Sequence, residues 1–95
     1  MAGFKVRVKV EKVRDKVQVG TNGFEKREMT GVIEGEYPEY LKFEFVKDKM
    51  DLLDDIIEGA YATVHFNLRG NKAEDKKNPG EEIHFVSLQG WKIEL

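Results

Sequence analysis

Tyr40-Leu41-Lys42-Phe43-Glu44-Phe45-Val46-Lys47-Asp48-Lys49-Met50-Asp51-Leu52-Leu53-Asp54-Asp55-Ile56-Ile57-Glu58-Gly59 contains a change of period. Up to Val46 apolar and polar residues alternate. Leu41, Phe43 and Phe45 therefore share one face of a strand, and Tyr40, Lys42 and Glu44 share the other. Beyond Lys47 the spacing turns helical, with Met50, Leu53, Ile56 and Ile57 forming an apolar stripe. Asp48 can cap that helix, Asp51 suits its first turn, and Gly59 is a natural stop. One helix is predicted over 48–58, and the rest of the chain carries no second helical signal.

Upstream, Phe4-Lys5-Val6-Arg7-Val8-Lys9-Val10 alternates strictly. Phe4, Val6, Val8 and Val10 face inward, and the register breaks between Glu11 and Lys16, so a bend or bulge is expected before Val17. Gly20-Thr21-Asn22-Gly23 reads as a tight turn. A second strand is predicted over 24–33, with Gly31 marking a sharp bend, and Glu34–Pro38 is a loop. Downstream, 60–69 alternates with Ala62, Val64, Phe66 and Leu68 inward. Gly70–Gly80 reads as a polar loop with an Asn78-Pro79-Gly80 turn. The last strand covers 82–93, its apolar positions Ile83, Phe85, Leu88, Trp91 and Ile93 skipping once, as at a bulge.

The order is β-β-β-α-β-β within one domain, residues 1–95. The fold class is all-β with one short helix: five coiled strands and a plugging helix are the layout of the five-stranded OB-fold barrel. Another small barrel or a sandwich is the alternative. Val8, Phe43, Phe45, Leu53, Val64, Phe66 and Phe85 are the expected core, with Phe4 beside them.

Composition narrows the function. Without cysteine there is no disulfide framework, zinc finger or thiol nucleophile. No stretch is long and apolar enough for a membrane span or a signal peptide, so no membrane partner and a cytoplasmic location are expected. The net charge is −2, but residues 1–27 carry eight cations and three anions while the remainder carries eight cations and fifteen anions. A basic first third suits contact with phosphate. Strands also place Lys and Arg on solvent faces and edges to block aggregation.

No phosphate-binding glycine loop or nucleophile elbow is present. Ser87 is the only serine. His65 and His84 would approach each other if the last two strands pair, but no third metal ligand converges on them. Asp48, Asp51, Asp54 and Asp55 read as a solvated acidic face. The chain is therefore expected to be no enzyme and to carry no cofactor and no metal.

Aromatic residues interleaved with cations are what single-stranded nucleic acid requires, because bases stack on rings while cations follow phosphates. Phe24 opens the second strand beside Lys26 and Arg27, Tyr40 shares the outward parity of Lys42, and Tyr37 stands in the adjoining loop. Lys26 and Arg27 have opposite parity, so only one can enter the groove, and Lys26 is favoured. In an OB barrel the flanking loops, about 14–23 and 70–80, would add Arg14, Lys16, Arg69, Lys72, Lys76 and Lys77.

The segments Phe24-Glu25-Lys26-Arg27-Glu28, Glu36-Tyr37-Pro38, Leu41-Lys42-Phe43-Glu44-Phe45, Asp48-Lys49, Glu58-Gly59, Val64-His65-Phe66-Asn67-Leu68-Arg69-Gly70 and Gly90-Trp91-Lys92-Ile93 carry a resemblance over almost the whole chain. In order and spacing they resemble a small bacterial and phage family, long carried as a domain of unknown function and similar to minimal single-stranded DNA-binding OB-fold proteins. Two departures stand out: Met29-Thr30-Gly31 replaces a bulkier apolar run, and the chain ends at Leu95 with no acidic tail to recruit partners. The resemblance implies a non-catalytic protein acting in DNA replication, with single-stranded DNA as partner and RNA left open. The small barrel, its −2 charge and the flat alternating first strand lead to an expected homo-oligomeric state that joins weak sites. The alternative on the same barrel is a protein-interaction or assembly module without nucleic-acid binding.

Overall fold

Alternating Val and Lys or Arg residues build β1 (Gly3–Val13), which carries the barrel's first inward row. The computed structural model describes residues 3–19 and 23–95. Five strands follow: β2 (Val17–Val19), β3 (Phe24–Ile33), β4 (Glu39–Val46), β5 (Tyr61–Glu74) and β6 (Glu82–Glu94). The expected first strand is thus split. Its register against β3 shifts between Val10 and Lys12, and Arg14–Lys16 interrupt it before β2. Gly20, Thr21 and Asn22 of the expected turn lie outside the described residues, while Gly23 takes a φ of 75°, a left-handed value that favours glycine.

The strands run β1-β5-β6-β4-β3-β2, and pairing of β1 with β3 closes the ring. All pairings are antiparallel except β4–β6, where Phe43 meets Leu88 and Glu44 meets Gln89. This is a mostly-β closed barrel of the OB type. Two glycines make the tight closure possible. A Cβ on Gly31 would lie 2.5 Å from Val8 Cγ2, and one on Gly90 would lie 2.4 Å from Cε1 and Cζ of Phe45.

The core is Val8, Val10, Met29, Phe43, Phe45, Met50, Leu53, Ala62, Val64 and Phe66. Phe43 meets Phe66 edge-on at 5.6 Å between centroids. The predicted α-helix over 48–58 is a 3-10 helix, Lys47–Leu53, with no side-chain cap; Asp48 lies in its first turn. Met50 and Leu53 plug the barrel end. The helix stops early because the chain must return to β1: the Gly59 N–H donates to the Val10 carbonyl at 2.7 Å, and Val10 N–H donates to the Ala60 carbonyl. Ile57, beyond the helix, is exposed.

The main correction is at the other end. Residues 70–74, read as loop, continue β5, and β5 pairs with β6 from Thr63–Glu94 to Glu74–Glu82. Among the described residues, β1 covers β5 only as far as Asn67, and β4 meets β6 only at Leu88 and Gln89. The hairpin from Leu68 to Ser87 is therefore, among the described residues, a two-stranded arm with no third strand along either edge. Phe85, expected in the core, lies on that arm and is 56% exposed; Leu68 and Ile83 are exposed there too. Phe4 stacks on Phe66 at 5.7 Å but stands 45% exposed at the barrel rim. Trp91 occupies the bulge in β6 and turns outward.

Candidate functional site

Register fixes which residues share the barrel's outer face. Opposed residues of paired strands point to the same side, so Lys26, Glu28, Thr30 and Val32 of β3 align with Val46, Glu44, Lys42 and Tyr40 of β4. The same parity carries this face onto Phe24 of β3 and, across the parallel junction, onto Gln89, Ser87 and Phe85 of β6. Between β4 and the arm opens a cleft of about 500 Å³ lined by Tyr40, Lys42, Glu44, Asn71, Phe85 and Ser87.

Electrostatics in the middle of this face are balanced. Lys26 Nζ lies 3.3 Å from Glu44 Oε1 and 3.5 Å from Glu28 Oε2, and Lys42 Nζ lies 3.4 Å from Glu28 Oε2. Partial burial alone would lower the Lys26 pKa. That burial is the largest single influence, but the Glu44 hydrogen bond and the charges of Glu44 and Glu28 together outweigh it, so the pKa is raised above the usual lysine value.

The predicted site residues separate into groups. Tyr40 and Lys42 line the cleft, Lys26 joins them through the two glutamates, and Phe24 lies exposed on the same face at the Lys26 end. Arg69 pairs with Ser87 and shares the Phe85 side of the arm, whereas Lys72 pairs with His84 on the opposite side. Lys72 Nζ lies 3.5 Å from Glu82 Oε2. Lys76 and Lys77 ride the turn at the arm's tip. There Asp75 accepts from Lys77 N–H at 2.9 Å and from Asn78 Nδ2 at 3.1 Å. The Asn78 bond first, then the backbone donors, hold the Asp75 carboxyl below its ordinary pKa. Tyr37 is fully open in the 34–38 loop. Arg14 and Lys16 lie exposed in the β1–β2 connection.

Arg27 points the other way. Its Nε donates to the Arg14 carbonyl at 2.8 Å, and Nη1 lies 2.6 Å from Asp54 Oδ1 and 3.4 Å from the Met50 carbonyl oxygen. Arg27 thereby ties the 3-10 helix to β3, leaving Lys26 as the one that faces the groove. The two histidines are also apart. β5 and β6 do pair, but His65 sits opposite Lys92 and His84 opposite Lys72, at different ends of the hairpin. Among the described residues no group of three or more His, Cys, Asp or Glu could hold a metal ion.

Phe85 is the site residue that sequence reasoning placed wrongly. Its one signal is Val86 beside it. Two consecutive apolar residues break the alternation of a half-buried strand and fit a ribbon wet on both sides.

The barrel superposes on solved structures of low sequence identity, which fix the fold. The mitochondrial single-stranded DNA-binding protein Rim1 of S. cerevisiae matches in two crystal forms. The TM-scores are 0.76 and 0.72 at 10% and 11% identity, over 99% of this chain and 94% and 93% of the other. The SSB domain of a Synechococcus sp. protein matches with a TM-score of 0.70 at 16% identity, over 98% of this chain and 93% of that one. No curated protein matches the chain by sequence. The family model of DUF3127, a domain of unknown function, matches residues 5–94, so the chain belongs to the DUF3127 family.

Proposed function

We propose that this protein is a non-catalytic single-stranded DNA-binding barrel whose groove is the outer face of β3 and β4 together with the inner flank of the β5–β6 arm. The observation that carries the reading is the cleft where the exposed Tyr40 and Phe85 rings stand with Lys42 between strand and arm. Each ring offers a π-face to a base, worth about 1–3 kcal/mol. Phe24 extends the same face, and Tyr37, Arg69, Lys76 and Lys77 flank it. Lys72, Arg14 and Lys16 approach the strand only from the margins. The likeness of the fold to single-stranded DNA-binding proteins supports this choice over an assembly module.

Because Lys26 and Lys42 already neutralise Glu28 and Glu44, stacking rather than charge supplies most of the affinity within the groove. Joining copies offsets a modest single-site affinity. Among the described residues, Gly3–Val8 pair with β5 alone, so one edge of that half of β1 is open to a second copy. The test is anisotropy of labelled oligo-dT at two salt concentrations, with duplex of equal length as competitor. Single strand should bind and duplex should compete poorly, since its bases cannot stack. Equal affinity for the two, or unchanged binding by Tyr40→Ala, would favour the assembly module.

A further inference from the structure

The row Lys5, Arg7, Lys9, which gives the first third its charge, does not line the groove. Pairing of Lys5 with His65, Arg7 with Thr63 and Lys9 with Tyr61 sets these cations on the outer face of the β1–β5–β6 sheet, at the back of the barrel. Lys92, opposite His65, joins them there. Two rings complete the face. The Arg7 guanidinium lies 5.8 Å from the Tyr61 ring centroid, and Trp91 packs against His65 at 5.3 Å. Both rings are partly open to solvent.

Two carboxylates oppose the four cations. Glu34 accepts from the Tyr61 hydroxyl and lies 4.0 Å from Lys9, and Glu94 pairs with His65. The hydrogen bond from His65, then the charge of Lys92, keep Glu94 below the usual carboxylate pKa. The back sheet keeps a cationic excess, whereas the centre of the groove has two lysines against two glutamates.

The two surfaces are continuous. A second cleft, about 460 Å³, is lined by Tyr40 and Pro38 on the groove side and by Lys9 on the back-sheet side, with the carboxylates Glu11 and Glu34 also in its wall. Tyr40 therefore stands at the end of one surface and the entrance to the other. Alternate residues on a strand are spaced by about 6.6 Å, a distance that one extended nucleotide can span. Lys9, Arg7 and Lys5 thus offer a charge to each successive phosphate.

From this geometry we infer that the back sheet is a second, phosphate-tracking surface for single-stranded DNA: a strand leaving the groove at Tyr40 passes Lys9 and follows Arg7, Lys5 and Lys92. The inference rests on the groove reading and divides the work, with bases stacked in front and phosphates neutralised behind.

Trp91 is the only tryptophan and lies on the back sheet, so its emission reports that face alone. The wild-type protein is titrated with oligo-dT of about 4 and about 16 nucleotides, the ends of the range one OB barrel covers. The short strand should bind without changing Trp91 emission, and the long one should bind more tightly and quench it. A Lys5→Ala/Arg7→Ala/Lys92→Ala variant should keep short-strand affinity and lose the gain with length. Its log K against log salt slope should flatten by about 0.7 per cation removed. Long strands that bind without altering Trp91, and equally to both proteins, would overturn the back-sheet track while leaving the groove intact, provided Phe85→Ala still weakens them. If no strand of either length binds, both readings fail. A variant whose mass in light scattering changes instead would make the face an interface between copies and overturn the inference.

Discussion

Gly90→Ala should destabilise the barrel through one contact. A Cβ at this position stands 2.4 Å from Cε1 and Cζ of Phe45 and 3.1 Å from Cδ1. Ordinary carbon contacts are about 3.5–4.0 Å, so the ring or the strand must retreat by about 1 Å. Phe45 is fully buried among close-packed neighbours, and β6 is held on one side by its ladder to β5, so neither yields freely. Overpacking of this kind costs about 1–3 kcal/mol. For a domain of this size each kcal/mol lowers Tm by about 4–8 °C. Thermal melts followed by circular dichroism measure it, with Gly35→Ala as control. Gly35 has no atom within 4 Å of a built Cβ and no left-handed φ, and its variant should melt like wild type. Phe45→Leu shortens the offending ring, so the double variant should lose less than the two singles together, by a coupling of about 0.5–3 kcal/mol. Wild-type melting of Gly90→Ala, or strict additivity with Phe45→Leu, would refute the contact argument.

Phe85→Ala should cost oligo-dT binding about 1–3 kcal/mol while moving stability by only about 0.5 kcal/mol; a collapse in Tm would return Phe85 to the core. Phe45→Ala should do the opposite in stability, costing about 3–5 kcal/mol in urea melts, a large share of what a small domain possesses. The raised pKa of Lys26 means the folded protein holds that proton more tightly than the unfolded chain. Its contribution is complete below the ordinary lysine value and is lost as pH climbs through the raised one. The Tm gap between wild type and Lys26→Met should therefore narrow from about pH 10 upward, and a constant gap would contradict the ion-pair network. Arg27→Ala should lower stability by about 1–3 kcal/mol, because it releases the 3-10 helix, and should leave oligo affinity unchanged; weaker binding at wild-type stability would put Arg27 back in the groove.

Inward and outward parity was legible wherever a strand has neighbours on both sides. β3 and β4 run where alternation placed them, and Val8, Phe43, Phe45, Leu53, Val64 and Phe66 are buried as expected. Parity does not say where the core ends. Leu68 continues an inward row and Phe85 the outer row of β6, but at those positions, among the described residues, no third strand is paired, so equal hydrophobicity meets water instead of a partner. That depends on how far β1 and β4 reach, which is a property of pairing and not of the segment itself. The helix failed for a similar reason. Ile56 still packs partly buried against the core, but Ile57, which fits the same stripe, is left exposed where the chain turns back to Val10.

The charge of the first third was legible as a quantity, but its place on the surface was not. Alternation gave Lys5, Arg7 and Lys9 one common side, yet only the closed ring decides which side of the barrel that is. β1 lies between β3 and β5, so its outward row turns away from the β3–β4 groove and meets Lys92 instead. A net charge of −2 then ceases to argue against a polyanionic ligand. Within a Debye length of about 8–10 Å a bound phosphate experiences the nearby row and little of the acidic remainder. The acidic excess sits largely elsewhere: Asp48, Asp51, Asp54 and Asp55 in and just after the plugging helix, and Glu74, Asp75, Glu81 and Glu82 around the arm's tip, where Lys76 and Lys77 offset part of it. Segregation of charge, rather than its sum, is the property by which this barrel would meet DNA.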